Sequence, residues 1–108
     1  MEDCIFCKII NKELQSNIIA ESEEALIFKD IHPKAPVHWL AVPKKHLASI
    51  KESGAEDLAR HLIVLTKEAA RQNNLLAYKL VFNVGREAGQ TVEHLHMHLL
   101  AGGPVEEN

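Results

Sequence analysis

Polar and apolar residues alternate strictly through His94-Leu95-His96-Met97-His98-Leu99 before a second apolar residue, Leu100. Successive side chains of a strand point to opposite faces. The run therefore predicts a strand with Leu95, Met97 and Leu99 in a core and three imidazoles together on the other face. Patterning divides the rest of the chain as well. Ile5 to Asn11 predicts a short helix, and Ile18 to Ala20 with Ala25 to Asp30 predicts a hairpin turning at Glu21-Ser22-Glu23-Glu24. The prolines of His32-Pro33-Lys34-Ala35-Pro36 interrupt strand pairing, His38 to Val42 resumes it, and Pro43 ends it. Ser53-Gly54-Ala55-Glu56 has capping-box spacing and opens the longest helix, with Leu58, Leu62, Leu65 and Ala69 as its buried stripe. Lys79 to Val84 predicts a strand with Leu80, Phe82 and Val84 on one face. The loop Gly85-Arg86-Glu87-Ala88-Gly89-Gln90-Thr91 then leads into the histidine strand.

Strands joined by short turns and interrupted by one long helix predict an α+β architecture, an antiparallel sheet with helices packed on one face and the histidine face uncovered. A length of 108 residues fits one domain, 1–108, without repeat or linker. Hydrophobic and charged fractions of 46% and 25% are those of an ordinary globular protein. A net charge of -3 supplies no field to recruit duplex nucleic acid, so a nucleotide would have to be gripped locally. The acidic start Met1-Glu2-Asp3 and the lack of a long apolar run predict neither signal peptide nor membrane span, and a cytoplasmic location is expected. In that compartment two cysteines read as a reduced pair or a metal site rather than a disulfide.

Strand geometry spaces alternate residues by about 6.5 to 7 Å, so two of the imidazoles reach one phosphate or one metal ion. A lone strand histidine is ordinarily a hydrogen-bonded bystander. Three in alternation crowd groups that begin to charge near pH 6.5, where a solvated face would carry Thr, Lys or Glu. Neutral imidazole is a good nucleophile. His96, with a histidine on each side, is the expected nucleophile, and His98 is placed to hold phosphate oxygens or assist a leaving group. Gly89, the amides around Gln90 and Thr91, and the Thr91 hydroxyl read as half of a phosphate site. No basic cluster is evident around the histidine run. Cys4-x-x-Cys7 is open to three readings, a zinc half-site, a redox pair or coincidence, and tetrahedral zinc needs two more ligands.

The run Gly89-Gln90-Thr91-Val92-Glu93-His94-Leu95-His96-Met97-His98-Leu99-Leu100 resembles the signature of the histidine triad nucleotide-binding proteins. The likeness extends to Ile5-Phe6-Cys7-Lys8-Ile9-Ile10, Phe28-Lys29-Asp30-Ile31-His32-Pro33-Lys34-Ala35-Pro36 and Val42-Pro43-Lys44-Lys45-His46. Ala35-Pro36-Val37-His38 and Pro43-Lys44-Lys45-His46 favour the purine nucleoside phosphoramidase (Hint-like) branch over the fragile-histidine dinucleotide hydrolases.

The resemblance implies a five-stranded antiparallel sheet with one short and one long helix. It also implies a homodimer forming a ten-stranded sheet through the long helix and the Lys79 to Val84 strand. It implies a purine nucleoside monophosphate or its phosphoramidate as ligand, with Asp30 on the ribose and Ile31 against sugar and base. Phe6, Ile9, Leu14 and Phe28 would line the base pocket, and Asn83, Gly89, Gln90 and Thr91 would contact phosphate. His96 would form a nucleotidyl-imidazole, His98 would bind phosphate, the His94 carbonyl would orient His96, and His38 would lie near the site. No metal would enter the chemistry, and a structural zinc would sit on Cys4, Cys7, His46 and His94.

Three departures bear on substrate choice: Thr91 where Ser is usual, Glu93 where an aromatic is common, and a short Pro104-Val105-Glu106-Glu107-Asn108 tail. Three other functions fit parts of the pattern. One is a dinucleoside polyphosphate hydrolase, and another is a nucleotide-binding interaction protein with little turnover. The third, a catalytic zinc hydrolase on His94, His96 and His98, leaves Asp30 and the glycine loop unused.

Overall fold

The computed structural model describes residues 3–104, so the tail from Val105 lies outside the described residues. Five strands, β1 (Ile18–Glu21), β2 (Ala25–Lys29), β3 (Val37–Pro43), β4 (Lys79–Val81) and β5 (Met97–Ala101), form one sheet in the order β1-β2-β3-β5-β4. Every neighbouring pair is antiparallel. Two α-helices, α1 (Ile5–Ile10) and α2 (Ala55–Gln72), complete the α+β fold that the patterning predicts. Among the described residues no helix is long and apolar enough to cross a membrane.

Register divides the sheet into two chemically different faces. Phe28 stands opposite Leu40 and Leu40 opposite His98, while His98 also faces Val81. One step along, Leu26 pairs with Val42, His38 with Leu100, and Leu100 with Lys79. Cross-strand partners share a face, so these residues form one surface. The other face carries Ala25, Ile27, Trp39, Ala41, Met97 and Leu99, buried with Ala55, Leu62, Ala69 and Ala70 of α2. The predicted stripe of α2 is rotated toward small side chains. Ala55, Ala59, Leu62, Thr66, Ala69 and Ala70 are buried, and Leu58 and Leu65 pack at the margin.

Three expectations are corrected. The two helices lie on opposite faces, because α1 buries Phe6 and Ile9 against Leu26, Phe28, Leu40 and Val42 on the histidine side. That face is thus half covered, and the shelter makes a pocket. The capping box does not form. Gly54, at φ 86°, is the N-cap of α2, and no side chain caps it; that left-handed geometry costs glycine little. Both strands beside the glycine loop are also shorter than predicted, β4 ending at Val81 and β5 starting at Met97. Continuing the β3–β5 register past Ala41 and Met97 would set Pro43 against Leu95, and Pro43 has no N–H to extend the ladder. The Leu95 amide instead donates to the Leu47 carbonyl at 2.6 Å.

Candidate active site

Leaving the ladder early gives His94 and His96 their chemistry. The His96 Nδ1–H donates to the His94 carbonyl at 2.7 Å. A carbonyl only accepts, so the neutral ring is held with its proton on Nδ1 and a lone pair on Nε2. Phe6 packs edge-on to this ring, centroids 5.1 Å apart, and fixes its plane. Burial pushes the His96 pKa below its ordinary value, which favours the neutral ring.

His98 has the complementary tautomer. The Lys34 amide donates to His38 Nδ1 at 3.1 Å, which leaves His38 with its proton on Nε2. That proton points at His98 Nδ1, 2.9 Å away, and toward Asp30 Oδ2 at 3.4 Å. His98 therefore accepts at Nδ1 and carries its own proton on Nε2. Asn83 Nδ2 lies 3.4 Å from that nitrogen; two N–H groups cannot pair, so with the proton on His98 Nε2 the side-chain amide turns its Oδ1 there to accept it. Burial, then the neighbouring His96 and His38, pushes the His98 pKa down to about 4. The two imidazoles, 5.1 Å apart, thus offer a nucleophilic lone pair and a proton donor side by side.

Two cavities meet at this pair. A cavity of about 350 Å³ is lined by Phe6, Ile9, Leu14, Phe28 and Leu40, with Asp30 and Ile31 at its edge. The second, about 630 Å³, is lined by Asp30, His38, Asn83, Gly89, Lys34 and Lys79. Thr91, His96 and His98 border both. Every nucleotide-site residue expected from sequence therefore borders a cavity except Gln90. Gln90 is buried, its Oε1 accepts the Gly85 amide at 2.9 Å, and its Nε2 donates to the carbonyls of Ala48 at 2.6 Å and Val92 at 3.1 Å. Its backbone amide is also spent, on the Gly85 carbonyl. Gln90 braces the loop, and its polar groups are engaged there. Gly89 has φ 100°, a backbone conformation that L side chains rarely adopt, and a Cβ there would lie in ordinary contact with the Asn83 side chain at 3.6 Å.

Lys34 and Lys79 are not singled out by the sequence, and they qualify the expectation that no basic cluster surrounds the histidine run. A signal for Lys79 existed: it alternates with Val81 and Asn83, so it shares their side of the strand. Lys34 had none, because only the bend between β2 and β3 brings it beside His98.

Behind the histidines lies a third grouping. The ligand atoms of Cys4, Cys7, His46 and His94 all fall within 4.8 Å of one another. His94 Nε2–H donates to the Pro43 carbonyl at 2.9 Å, so its Nδ1 lone pair faces Cys4 Sγ at 3.3 Å and Cys7 Sγ at 3.6 Å. His46 Nδ1 stands 3.4 Å from Cys7 Sγ. Tetrahedral zinc, with bonds of about 2.3 Å to sulfur and about 2.0 Å to nitrogen, sets neighbouring S and N ligands about 3.5 Å apart. The donor set and spacing fit that ion. Burial, then the adjacent Cys4, pushes the Cys7 thiol pKa up, so metal uptake would release protons.

Comparison with known proteins agrees with this geometry. Residues 3–105 match the family described as scavenger mRNA decapping enzyme C-term binding. A HIT-like protein of Synechocystis is 45% identical over 106 residues, covering 95% of this chain and 93% of its own. The crystal structure of a HIT family hydrolase from Legionella pneumophila superposes with a TM-score of 0.87 at 39% identity, covering 96% of each chain. A histidine triad nucleotide-binding protein from Candida albicans gives 0.79 at 31% identity, covering 98% of this chain and 86% of its own. With the His94-x-His96-x-His98 run seated between two cavities, this chain belongs to the histidine triad (HIT) family.

Proposed function

We propose that the protein hydrolyses purine nucleoside phosphoramidates through a covalent nucleotidyl-His96 intermediate. The observation that carries this reading is the hydrogen-bond geometry at the cavity junction, from which a lone pair is assigned to His96 Nε2 beside a proton on His98 Nε2. Relatives described as a hydrolase and as a nucleotide-binding protein support it. The base enters the apolar cavity, the ribose meets Asp30 and Ile31, and the phosphate lies among His96, His98, Thr91 and Asn83.

His96 Nε2 attacks the α-phosphorus. The P–N bond breaks, and its electron pair leaves on the amine nitrogen, which takes up a proton offered through His98 Nε2. Water then attacks the phosphorus, the bond to His96 breaks, and the proton released from water replaces the one consumed. His98 and the Thr91 hydroxyl meet the charge that develops on the phosphate oxygens, the preorganised donation that usually supplies the largest catalytic term. A structural zinc on Cys4, Cys7, His46 and His94 would supply rigidity behind this chemistry.

An amine leaves poorly until protonated, whereas a polyphosphate already leaves well. The donor on His98 is thus worth most to a phosphoramidate. Adenosine or guanosine phosphoramidates are expected to exceed diadenosine polyphosphates in kcat/KM by about tenfold or more. Thr91→Ala is expected to weaken that turnover more than monophosphate binding. Lys34 and Lys79 favour the polyphosphate reading, and the reverse order in steady-state kinetics would establish it. Binding with no turnover of either class would instead assign an interaction protein.

A homodimer belongs to the same proposal. Ile63 and Val64 of α2, with Leu76 and Leu80 around β4, are exposed, Leu76 by 80%. The β4 edge beside them is an unprotected template for pairing. Light scattering at micromolar concentration is expected to return twice the chain mass, and a monomeric mass would rule the dimer out.

A further inference from the structure

Beyond the phosphate position the second cavity changes character. Lys79 reaches it from β4, on the face that His98 shares, because Lys79 pairs with Leu100 and Val81 with His98. Lys34 reaches it from the bend before β3, at the opposite rim. Both side chains are exposed, and among the described residues neither forms an ion pair. The one carboxylate on this wall is already engaged: Asp30 Oδ1 accepts the His32 amide at 2.8 Å, and Oδ2 faces His38 at 3.4 Å. The base cavity, by contrast, has an apolar wall of Phe6, Ile9, Phe28 and Leu40.

Resting on the functional reading above, we infer that Lys34 and Lys79 form a leaving-group site selective for a negatively charged leaving group. A nucleotide with its base in the apolar cavity and its phosphorus at His96 would send its leaving group into this second cavity, which shares Asp30, His32, Thr91, His96 and His98 with the first and extends away from it past Lys34, Lys79 and Asn83. There it finds two ammonium groups. The leaving amine would carry a carboxylate or phosphate a few bonds from the scissile nitrogen, or the leaving group would be the distal part of a polyphosphate. The shared chemistry is an anion held beside His98. Lys34 lies near enough for its charge to act on the His98 ring, in the direction that disfavours a second positive charge there. The lysines select among substrates, and the bond-making and bond-breaking remain those of His96 and His98.

Adenosine phosphoramidates of β-alanine, n-propylamine and 1,3-diaminopropane present anionic, neutral and cationic leaving groups of similar size. Wild-type kcat/KM is expected to rank them in that order, with steps of roughly five- to tenfold, the scale of two partly exposed charge contacts. The spread should shrink in high salt and collapse in the Lys34→Gln, Lys79→Gln double variant. Equal turnover of the three compounds by wild type, or an undiminished spread in the double variant, overturns the inference. Calorimetric binding of the same compounds to His96→Ala separates the two readings. Ordered binding without wild-type turnover keeps the anion site and removes the phosphoramidase activity, whereas unordered binding removes the anion site alone. Diadenosine tetraphosphate, assayed in parallel, identifies the source: turnover that depends on both lysines and exceeds that of the β-alanine compound assigns the anion to distal phosphates.

Discussion

His96→Ala is expected to lower phosphoramidate turnover by at least ~10³-fold, about 4 kcal/mol of transition-state stabilisation, while nucleotide Kd changes only a few-fold. The asymmetry follows from the site. In the proposed binding mode base and ribose would contact Phe6, Ile9, Phe28 and Asp30, which line the apolar cavity, whereas the bond to phosphorus would have one donor atom, His96 Nε2. Trapped protein should carry a nucleotidyl group by mass spectrometry in wild type and none in the variant. Turnover above a small fraction of wild type would remove His96 from this role.

The same experiment extends to pH. His98, held near a pKa of about 4 by burial, keeps its Nε2 donor tautomer throughout the neutral range. The activity profile should therefore be flat from neutrality down to about pH 5, with its acid limb directed toward about 4 rather than 6.5. Stability has a definite sign. Lowering the folded pKa from the usual 6.5 to about 4 means that the unfolded chain binds the proton first as pH falls. This contribution is complete above about 6.5, declines between 6.5 and 4, and is lost below. Melting curves across that window check it.

Zinc removal should have the second large effect, on stability. The purified protein is expected to hold about one zinc per chain, and Cys4→Ser with Cys7→Ser to lower Tm by ~10 °C or more. A helix as short as α1 does not persist alone. Cys4 caps it, Cys7 lies in its first turns, and both sulfurs face His94 Nδ1. Releasing that staple loosens Phe6 and Ile9, the wall of the base cavity, so nucleotide Kd should weaken with Tm. The folded fraction should keep most of its specific activity, because the His96 and His98 tautomers depend on the His94 carbonyl and His38. Metal-free protein with an unchanged melt would reject the zinc site. Immediate inactivation by chelator without unfolding would place the metal in the chemistry.

Local rules made much of this legible in the residues. Alternation alone placed the three imidazoles on one side and Leu95, Met97 and Leu99 on the other, and the packing of those leucines with Met97 agrees. That partition survives although β5 begins only at Met97, because side-chain direction follows the backbone more closely than ladder membership does. The spacing of Cys4 and Cys7 suggested a half-site for the same reason: in a first helical turn, residues three apart share a side. The capping box failed because Gly54 reached a left-handed turn that needs no side chain, a competition between two local solutions that the residue types did not decide.

Hydrophobic periodicity, turn chemistry and the order of the histidines are short-range properties, and they determined the α+β class, the face that carries the histidines and the proposal of His96 as nucleophile. Which face α1 covers, which nitrogen of each imidazole holds the proton, and whether Gln90 points into the site or into its own loop depend on partners far along the chain. His96 takes its tautomer from the local His94 carbonyl, but His98 takes its own from His38 and, through it, from the Lys34 amide. Lys34 and Lys79, 45 positions apart, meet one cavity only because β3 and β4 both flank β5. Contacts of that kind are set by sheet order and the packing that selects it, and only the tertiary structure contains them.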